Sequence, residues 1–176
     1  EHVGGYTPFC ADITDALMED GNYVTLCAID NQRSWKQPCG KQSMQFASNG
    51  CFYTRTTGIW QTVWIEAVPE KYIKKLVITP TINDVTIKIV GGEAKKKITL
   101  HGGERYEFEG DSITISPKEK HLWSPEYPYL YHFTIETGED RVDSYFALRE
   151  IGISRVNGIS RLTLNGEPYL FNGLLD

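Results

Sequence analysis

The sequence predicts an all-β protein whose central part is an immunoglobulin-like β-sandwich. Short runs of alternating apolar and polar residues follow one another from Tyr72 to Ile151, most clearly at Val85, Ile87 and Ile89. Glycine-containing and Asn-Asp turns separate these runs, and no stretch predicts a long amphipathic helix. Short strands at this spacing over about 80–100 residues are typical of an immunoglobulin-like sandwich.

Seven strands of this sandwich are predicted from β-branched and aromatic residues in period-two patterns. Their predicted bounds are 72–79, 85–90, 97–100, 106–108, 112–115, 130–136 and 142–151. The lysine run 95–97 is interpreted as a solvated sheet edge, where charge prevents pairing with another sheet. Further along the chain, Asn165-Gly166 between alternating apolar residues predicts a tight β-hairpin.

The first part of the chain has a weaker pattern. Strands are predicted at 23–29 and 59–66, and a polar segment of about 20 residues separates them, a length that is often functional. Trp60 and Trp64 lie four residues apart on the second strand, so both are expected on one face, filling a core. Stacking of these rings on a sugar is the alternative interpretation.

Composition limits the possible partners and the compartment. The chain has 18 Lys plus Arg against 23 Asp plus Glu, a net charge of −5, which argues against nucleic acid and membrane partners. No apolar run approaches the roughly 20 residues that span a bilayer. The cysteines show no C-x-x-C spacing, which argues against a zinc site. A chain of this length and hydrophobic content does not need disulfides, so reduced thiols and a cytoplasmic rather than periplasmic location are favoured. They are Cys10, Cys27, Cys39 and Cys51.

The sequence predicts no metal site and no cofactor. The four histidines, at positions 2, 101, 121 and 132, are scattered without a ligand spacing. Four aspartates, at positions 12, 15, 20 and 30, could reach Ca²⁺, but the EF-hand spacing is absent and a solvated turn is favoured. No serine-nucleophile elbow and no phosphate-binding glycine loop occurs.

Several motifs, in order along the chain, resemble glycoside hydrolase family 2, the β-galactosidase and β-glucuronidase group. Residues 53–66 (YTRTTGIWQTVWIE) resemble the family signature at the end of its sugar-binding domain. Residues 122–131 (LWSPEYPYLY) resemble a motif of its immunoglobulin-like domain. Residues 5–14, 143–149 and 164–173 are similar to further segments of the family, so the resemblance covers essentially the whole chain.

The resemblance implies three parts in this chain. Residues 1–69 would be the C-terminal part of a jelly-roll, galactose-binding-like domain, 70–153 the immunoglobulin-like sandwich, and 154–176 a linker hairpin with the start of a (β/α)₈ barrel. In the family the barrel carries the acid/base and nucleophile glutamates. Neither glutamate motif has a counterpart here, so no catalytic residue is carried over.

The resemblance also assigns candidate site residues. A loop of the family's N-terminal domain points toward the active site, and by position it corresponds to residues 30–50. Arg33, Trp35, Lys41 and Gln42 are therefore the expected carbohydrate contacts. Two arginines, Arg55 and Arg149, are singled out by their flanking residues and not by the resemblance. They are expected to act as structural clamps at domain junctions, with substrate contact as the alternative, because a guanidinium suits bidentate pairing.

The predicted function is that of a non-catalytic scaffold of a retaining β-glycoside hydrolase. Its expected partners are its own catalytic barrel and carbohydrate, with self-association through exposed strand edges as a further possibility. The alternatives are a stand-alone carbohydrate-binding module and an immunoglobulin-like interaction domain, since a fold alone does not fix function.

Overall fold

Residues 73–146 form seven antiparallel strands. The structure is a computed structural model and describes residues 1–34 and 36–173, so the predicted sugar contact Trp35 lies outside the described residues. The strands are β1 (Ile73–Pro80), β2 (Val85–Gly91), β3 (Lys95–Leu100), β4 (Arg105–Glu109), β5 (Ser112–Ile115), β6 (Tyr131–Thr137) and β7 (Asp140–Phe146).

These strands make two sheets that enclose one core. The first sheet has the order β1-β2-β5 and the second the order β4-β3-β6-β7, with every neighbouring pair antiparallel. Two antiparallel sheets of three and four strands are the architecture of an immunoglobulin-like sandwich. The all-β prediction is confirmed.

The core of the sandwich comes from the period-two alternation that the sequence shows. On β2 the side chains of Val85, Ile87 and Ile89 are buried, and they join Ile98 of β3 and Phe133 of β6 in one apolar cluster. Full burial of each such side chain contributes about 1.5–3 kcal/mol relative to exposure. The alternation therefore both forms the strands and joins the sheets.

The prediction for the lysine run 95–97 is wrong in two respects. These residues lie on β3, an inner strand that pairs with both β4 and β6. Lys96 points into the sandwich with Ile98 and Leu100, because side chains two apart on a strand share a face. Only 1% of its side chain is exposed, and its Nζ donates hydrogen bonds to the carbonyl oxygens of Glu93 and Gly110.

A three-stranded antiparallel sheet follows the sandwich. It consists of β8 (Ile151–Val156), β9 (Ile159–Leu164) and β10 (Glu167–Pro168). Asn165 and Gly166 connect β9 to β10, with φ of 53° and 86° as a type I′ turn requires, so the predicted hairpin is confirmed. The turn at Asn157-Gly158 also has positive φ at both residues, and this second hairpin was not predicted.

Residues 1–65 and 66–176 are two separate units. Within 1–34 and 36–65, the structure contains no β-strand, only a 3₁₀ turn at Thr14–Ala16 and isolated bridges. The strands predicted at 23–29 and 59–66 are therefore wrong, because an alternating segment forms a strand only where another segment accepts its backbone hydrogen bonds.

The side chains of the first unit reflect this lack of sheet. Trp60 and Trp64 are 66% and 71% exposed, so the prediction that they fill a core is wrong. All four cysteines are free thiols. Across residues 1–34 and 36–173, no helix is long and apolar enough to cross a membrane.

Candidate functional site

Three of the predicted carbohydrate contacts, Arg33, Lys41 and Gln42, lie in a segment of the first unit in which Gln32 makes the central hydrogen bonds. Gln32 is buried, with 6% of its surface exposed, and its Nε2 donates to Asp30 Oδ2 at 2.8 Å and to Gln42 Oε1 at 2.7 Å. The same nitrogen lies 2.9 Å from the carbonyl oxygen of Thr56. One amide thus connects three parts of the segment that are distant in sequence.

Asp30 and Gln42 are themselves held by further hydrogen bonds. The backbone N–H of Thr56 donates to Gln42 Oε1 at 2.7 Å, and Gln37 Nε2 donates to Asp30 Oδ1 at 2.5 Å. The hydrogen bond from Gln32 is the main cause that lowers the pKa of the Asp30 carboxyl, with Gln37 and Thr57 contributing. Asp30 is therefore a carboxylate at neutral pH.

Arg33 and Arg55 converge on the ring of Phe46. Their guanidinium carbons lie 5.1 Å and 4.6 Å from the ring centroid, the geometry of cation–π contacts. Arg55 was predicted to clamp a carboxylate, whereas the neighbour that the structure gives it is an aromatic face. The clamp role stays a prediction.

Lys41 and Gln42 lie beside Tyr53 in a short parallel backbone pairing. The carbonyl oxygen of Lys41 accepts a hydrogen bond from the Tyr53 N–H at 2.8 Å, and the Ser43 N–H donates to the Tyr53 carbonyl at 2.7 Å. Gln42 and Tyr53 form an isolated bridge. The backbone pairing therefore fixes the position of both predicted contacts.

A small cavity of about 210 Å³ opens beside this network. Gln32, Ser34, Gln37, Cys39 and Met44 line it. Binding cavities for drug-sized molecules begin at about 300 Å³, so this one suits at most a small group. Gln32 was not among the residues predicted from the sequence, and no motif singles it out, because its role arises from the convergence of distant loops.

A second cluster lies in the other unit, where the sandwich meets the hairpin sheet. The guanidinium carbon of Arg149 lies 4.8 Å from the centroid of the Trp123 ring. Asn165 Nδ2 donates to the carbonyl oxygen of Trp123 at 3.0 Å, and Asn165 Oδ1 accepts from the N–H of Glu150 at 3.0 Å. The β9–β10 turn is thereby bonded to the end of the sandwich.

Tyr169 makes the second bond of this junction. Its hydroxyl donates to Glu126 Oε1 at 3.0 Å. Three hydrogen bonds lower the pKa of the Glu126 carboxyl. In order of decreasing effect, they come from the backbone of Glu126 itself, from the side chain of Ser124 and from the side chain of Tyr169. Because the folded pKa is lowered, this contribution to stability is present above the unfolded pKa and is lost as pH falls through the folded value.

We expect Tyr169→Phe to raise the pKa of Glu126 toward its ordinary value, because the substitution removes one donor to the carboxylate. A carboxyl NMR titration measures this shift. Glu136, whose pKa is lowered first by its hydrogen bond with Lys97, is the internal control and should titrate unchanged. An unchanged Glu126 titration would show that the Tyr169 bond does not form in solution.

The two clusters, one around Gln32 and one around Trp123, offer surfaces for binding. Within residues 1–34 and 36–173, no group of three or more His, Cys, Asp or Glu side chains is placed to hold a metal ion. Amide, hydroxyl and guanidinium groups dominate the first cluster, and an arginine over an indole dominates the second.

Comparison with known proteins identifies relatives. Residues 69–149 match the model of "Glycosyl hydrolases family 2". The chain is 25% identical to a β-galactosidase of Thermoanaerobacter pseudethanolicus over 99% of its own length and 26% of the relative's. It is 26% identical to a β-glucuronidase of Rattus norvegicus over 99% of its length and 32% of that protein's. The solved structure of a Faecalibacterium prausnitzii β-glucuronidase is 30% identical, covering 60% of this chain and 18% of that one with a TM-score of 0.49.

The curated relatives are much longer than this chain. It spans between a quarter and a third of the lengths of the β-galactosidase and the β-glucuronidase named above.

Proposed function

Since this chain is a relative of the glycosyl hydrolases of family 2 and carries the family's sequence over residues 69–149, we propose that it is the accessory, non-catalytic part of a β-glycoside hydrolase. In this proposal a separate (β/α)₈ barrel holds the two carboxylates that cleave a terminal β-linked sugar with retention. The named relatives make a β-galactoside and a β-glucuronide the substrates to test first.

The observation that carries this proposal is an uncovered apolar face on the hairpin sheet. Ile151 and Ile153 of β8 and Leu162 of β9 share one face, since Ile153 pairs directly with Leu162, and all three are exposed. Leu170 and Phe171 add further exposed apolar surface just beyond β10. Contiguous apolar surface of this kind is typical of protein contact sites, and we propose that the barrel covers it.

Hydrogen bonds between the hairpin sheet and the end of the sandwich fix the orientation of this apolar face. Asn165 bonds to Trp123 and Glu150, and Tyr169 bonds to Glu126. In the proposal, the sandwich thereby holds the barrel through the hairpin sheet, and Arg149 acts as a clamp on Trp123 at this junction.

The carbohydrate contacts belong to the same proposal. We assign them to Arg33, Trp35, Lys41 and Gln42, with Arg55 as the clamp of their segment. Support comes from the bonds that fix Gln42 and from the shared placement of Arg33 and Arg55 on Phe46, which leaves the guanidinium edges as donors for sugar hydroxyls.

The test combines this chain with a separately expressed (β/α)₈ barrel of a family 2 enzyme. We expect the chain alone to release no nitrophenol from nitrophenyl β-galactoside or β-glucuronide, and the two segments together to bind and to hydrolyse one of them. Ile153→Asp should weaken that binding by about tenfold or more, because it places a charge in an apolar contact.

Val77→Asp, an equally drastic change at an exposed apolar residue of β1, is the matched control and should leave binding unchanged. Turnover by the chain alone, or equal binding of both variants, would contradict the proposal.

A stand-alone carbohydrate-binding module is the second candidate. The exposed rings of Trp60, Trp64 and Phe46 favour it, because the C–H faces of sugars stack on aromatic rings. Calorimetric binding of a β-linked oligosaccharide by the chain alone, abolished by Trp64→Ala, would support this candidate over the scaffold.

A further inference from the structure

Two arginine side chains of the first unit share one aromatic ring and have no acidic partner. The guanidinium carbons of Arg33 and Arg55 lie 5.1 Å and 4.6 Å from the centroid of Phe46. Across residues 1–34 and 36–173, no carboxylate forms an ion pair with either arginine. A guanidinium is a planar fork of five N–H donors that matches the geometry of a carboxylate. The first unit therefore presents two unmatched forks at one place.

The buried amide of Gln32 explains why these two arginines converge. Arg33 follows Gln32 directly and lies in a tight turn that a 2.8 Å backbone hydrogen bond closes across residues 31–34. Arg55 directly precedes Thr56, whose carbonyl oxygen accepts a hydrogen bond from Gln32 Nε2 at 2.9 Å. One hydrogen bond thus joins two segments that are distant in sequence and fixes the backbone next to each arginine.

The mutual repulsion of the two guanidinium groups makes this place receptive to an anion. Because both lie close to one centroid, their separation is at most comparable to the Debye length, about 8–10 Å in moderate salt, so the repulsion is only partly screened. Asp30, the carboxylate of this segment, accepts hydrogen bonds from two amides and a hydroxyl and forms no ion pair with either arginine. The positive charge of the pair is therefore not neutralised within the segment.

We propose that Arg33 and Arg55 bind the carboxylate of an acidic sugar, so that the glycan contacted by this segment carries a uronic acid residue. The inference rests on the proposed carbohydrate contacts and adds the charge of the ligand to them. A carboxylate accepts two parallel hydrogen bonds from one guanidinium and is attracted by the second, so it satisfies both arginines. The remaining N–H groups can donate to hydroxyl groups of the same sugar.

The surroundings of the pair favour such a ligand. Phe46 is 86% exposed, and stacking on its ring restricts each guanidinium without using an N–H donor. Side chains that are already restricted lose less entropy on binding. Arg33 is exposed and Arg55 half-buried, so a ligand can reach both. Since the chain has a net charge of −5, a local positive pair is a place where an acidic glycan is attracted to an otherwise negative protein.

The experiment compares two ligands that differ at one carbon atom. Methyl β-D-glucuronide carries a carboxylate where methyl β-D-glucoside carries a hydroxymethyl group. In NMR titrations of the 176-residue chain, we expect the glucuronide to bind at least about tenfold more tightly, because hydrogen bonds to an ionised acceptor are about twice as strong as neutral ones. Raising the salt concentration should weaken the binding of the glucuronide alone.

Substitutions assign this preference to the arginine pair. Arg33→Gln and Arg55→Gln should each weaken glucuronide binding by about tenfold, since each removes a charged donor and keeps a polar side chain. Arg105→Gln is the matched control, because Arg105 is an exposed arginine on β4 of the other unit, and it should bind the glucuronide as the unchanged chain does. An unchanged amide spectrum of each variant shows that the fold is kept.

Three outcomes would overturn the inference. They are the absence of saturable glucuronide binding, equal affinity for the glucuronide and the glucoside, and Arg33→Gln and Arg55→Gln variants that bind as Arg105→Gln does. Tighter binding of a sulfated methyl β-D-galactoside would also contradict it, because the pair would then serve a sulfate ester and not a carboxylate. The scaffold proposal would survive each of these outcomes, since barrel binding and its loss in Ile153→Asp test it separately.

Discussion

Replacing Phe133 by alanine is expected to lower the free energy of unfolding of the sandwich by about 3–5 kcal/mol. The side chain is fully buried, with 0% of its surface exposed, and it lies on β6 between β3 and β7 in the second sheet. Its ring centroid is 6.0 Å from that of Phe146. Alanine therefore removes apolar contacts from the core that the two sheets share and leaves a cavity there.

Urea unfolding followed by far-ultraviolet circular dichroism measures this loss. Tyr145→Ala is the matched control, because Tyr145 is an aromatic residue on the neighbouring strand β7 whose side chain is exposed. Its truncation should cost less than about 1 kcal/mol. Equal losses for both variants would show that Phe133 is not in a packed core.

The sandwich could be predicted from the sequence because each of its signals is local. Alternation in Val85, Ile87 and Ile89 defines a strand and its buried face together, and the following glycine turns separate the strands. The predicted span 142–151 was less accurate, since it joins the end of β7 to the start of β8 across residues 147–150. Asn157-Gly158 carried the same hairpin signal as Asn165-Gly166, so the second hairpin was within reach of sequence reasoning.

The first unit shows where local patterns do not suffice. The run from Ile59 to Glu66 has strong strand propensity, but propensity provides no partner for its backbone groups. The hydrogen-bond network around Gln32 could not be predicted for a related reason. It assembles one carboxylate, two amides and two threonine oxygens from residues up to 27 positions apart, and no spacing rule describes such a set.

In the lysine run 95–97, the strand period of the sequence was informative and the charge was misleading. Because side chains alternate along a strand, the side chain of Lys96 is expected on the opposite face of the sheet from those of Lys95 and Lys97. The charge of Lys96 nevertheless favoured the interpretation of an exposed edge. The structure resolves the conflict with hydrogen bonds, because Lys96 Nζ donates to Glu93 O at 2.5 Å and to Gly110 O at 2.9 Å and lies 3.6 Å from Asp111 Oδ1.

We therefore expect Lys96→Met to lower the free energy of unfolding of the sandwich by about 2–4 kcal/mol, because two hydrogen bonds to a charged group are lost while the apolar stem is kept. Lys95→Met, at a side chain that is 85% exposed on the same strand, should change it by less than about 0.5 kcal/mol. Urea unfolding of the two variants at equal pH and salt gives the comparison.

Replacement of a buried ion by an apolar side chain can also stabilise a protein, so the sign of the Lys96 effect is informative. Here the stem of Lys96 lies on the same face as Ile98 and Leu100, and methionine preserves that packing. A destabilised Lys96→Met variant would show that the carbonyl oxygens of Glu93 and Gly110 depend on the ammonium group. A variant as stable as Lys95→Met would show that water reaches those oxygens once the charge is gone, and that the buried lysine contributes nothing to the stability of the fold.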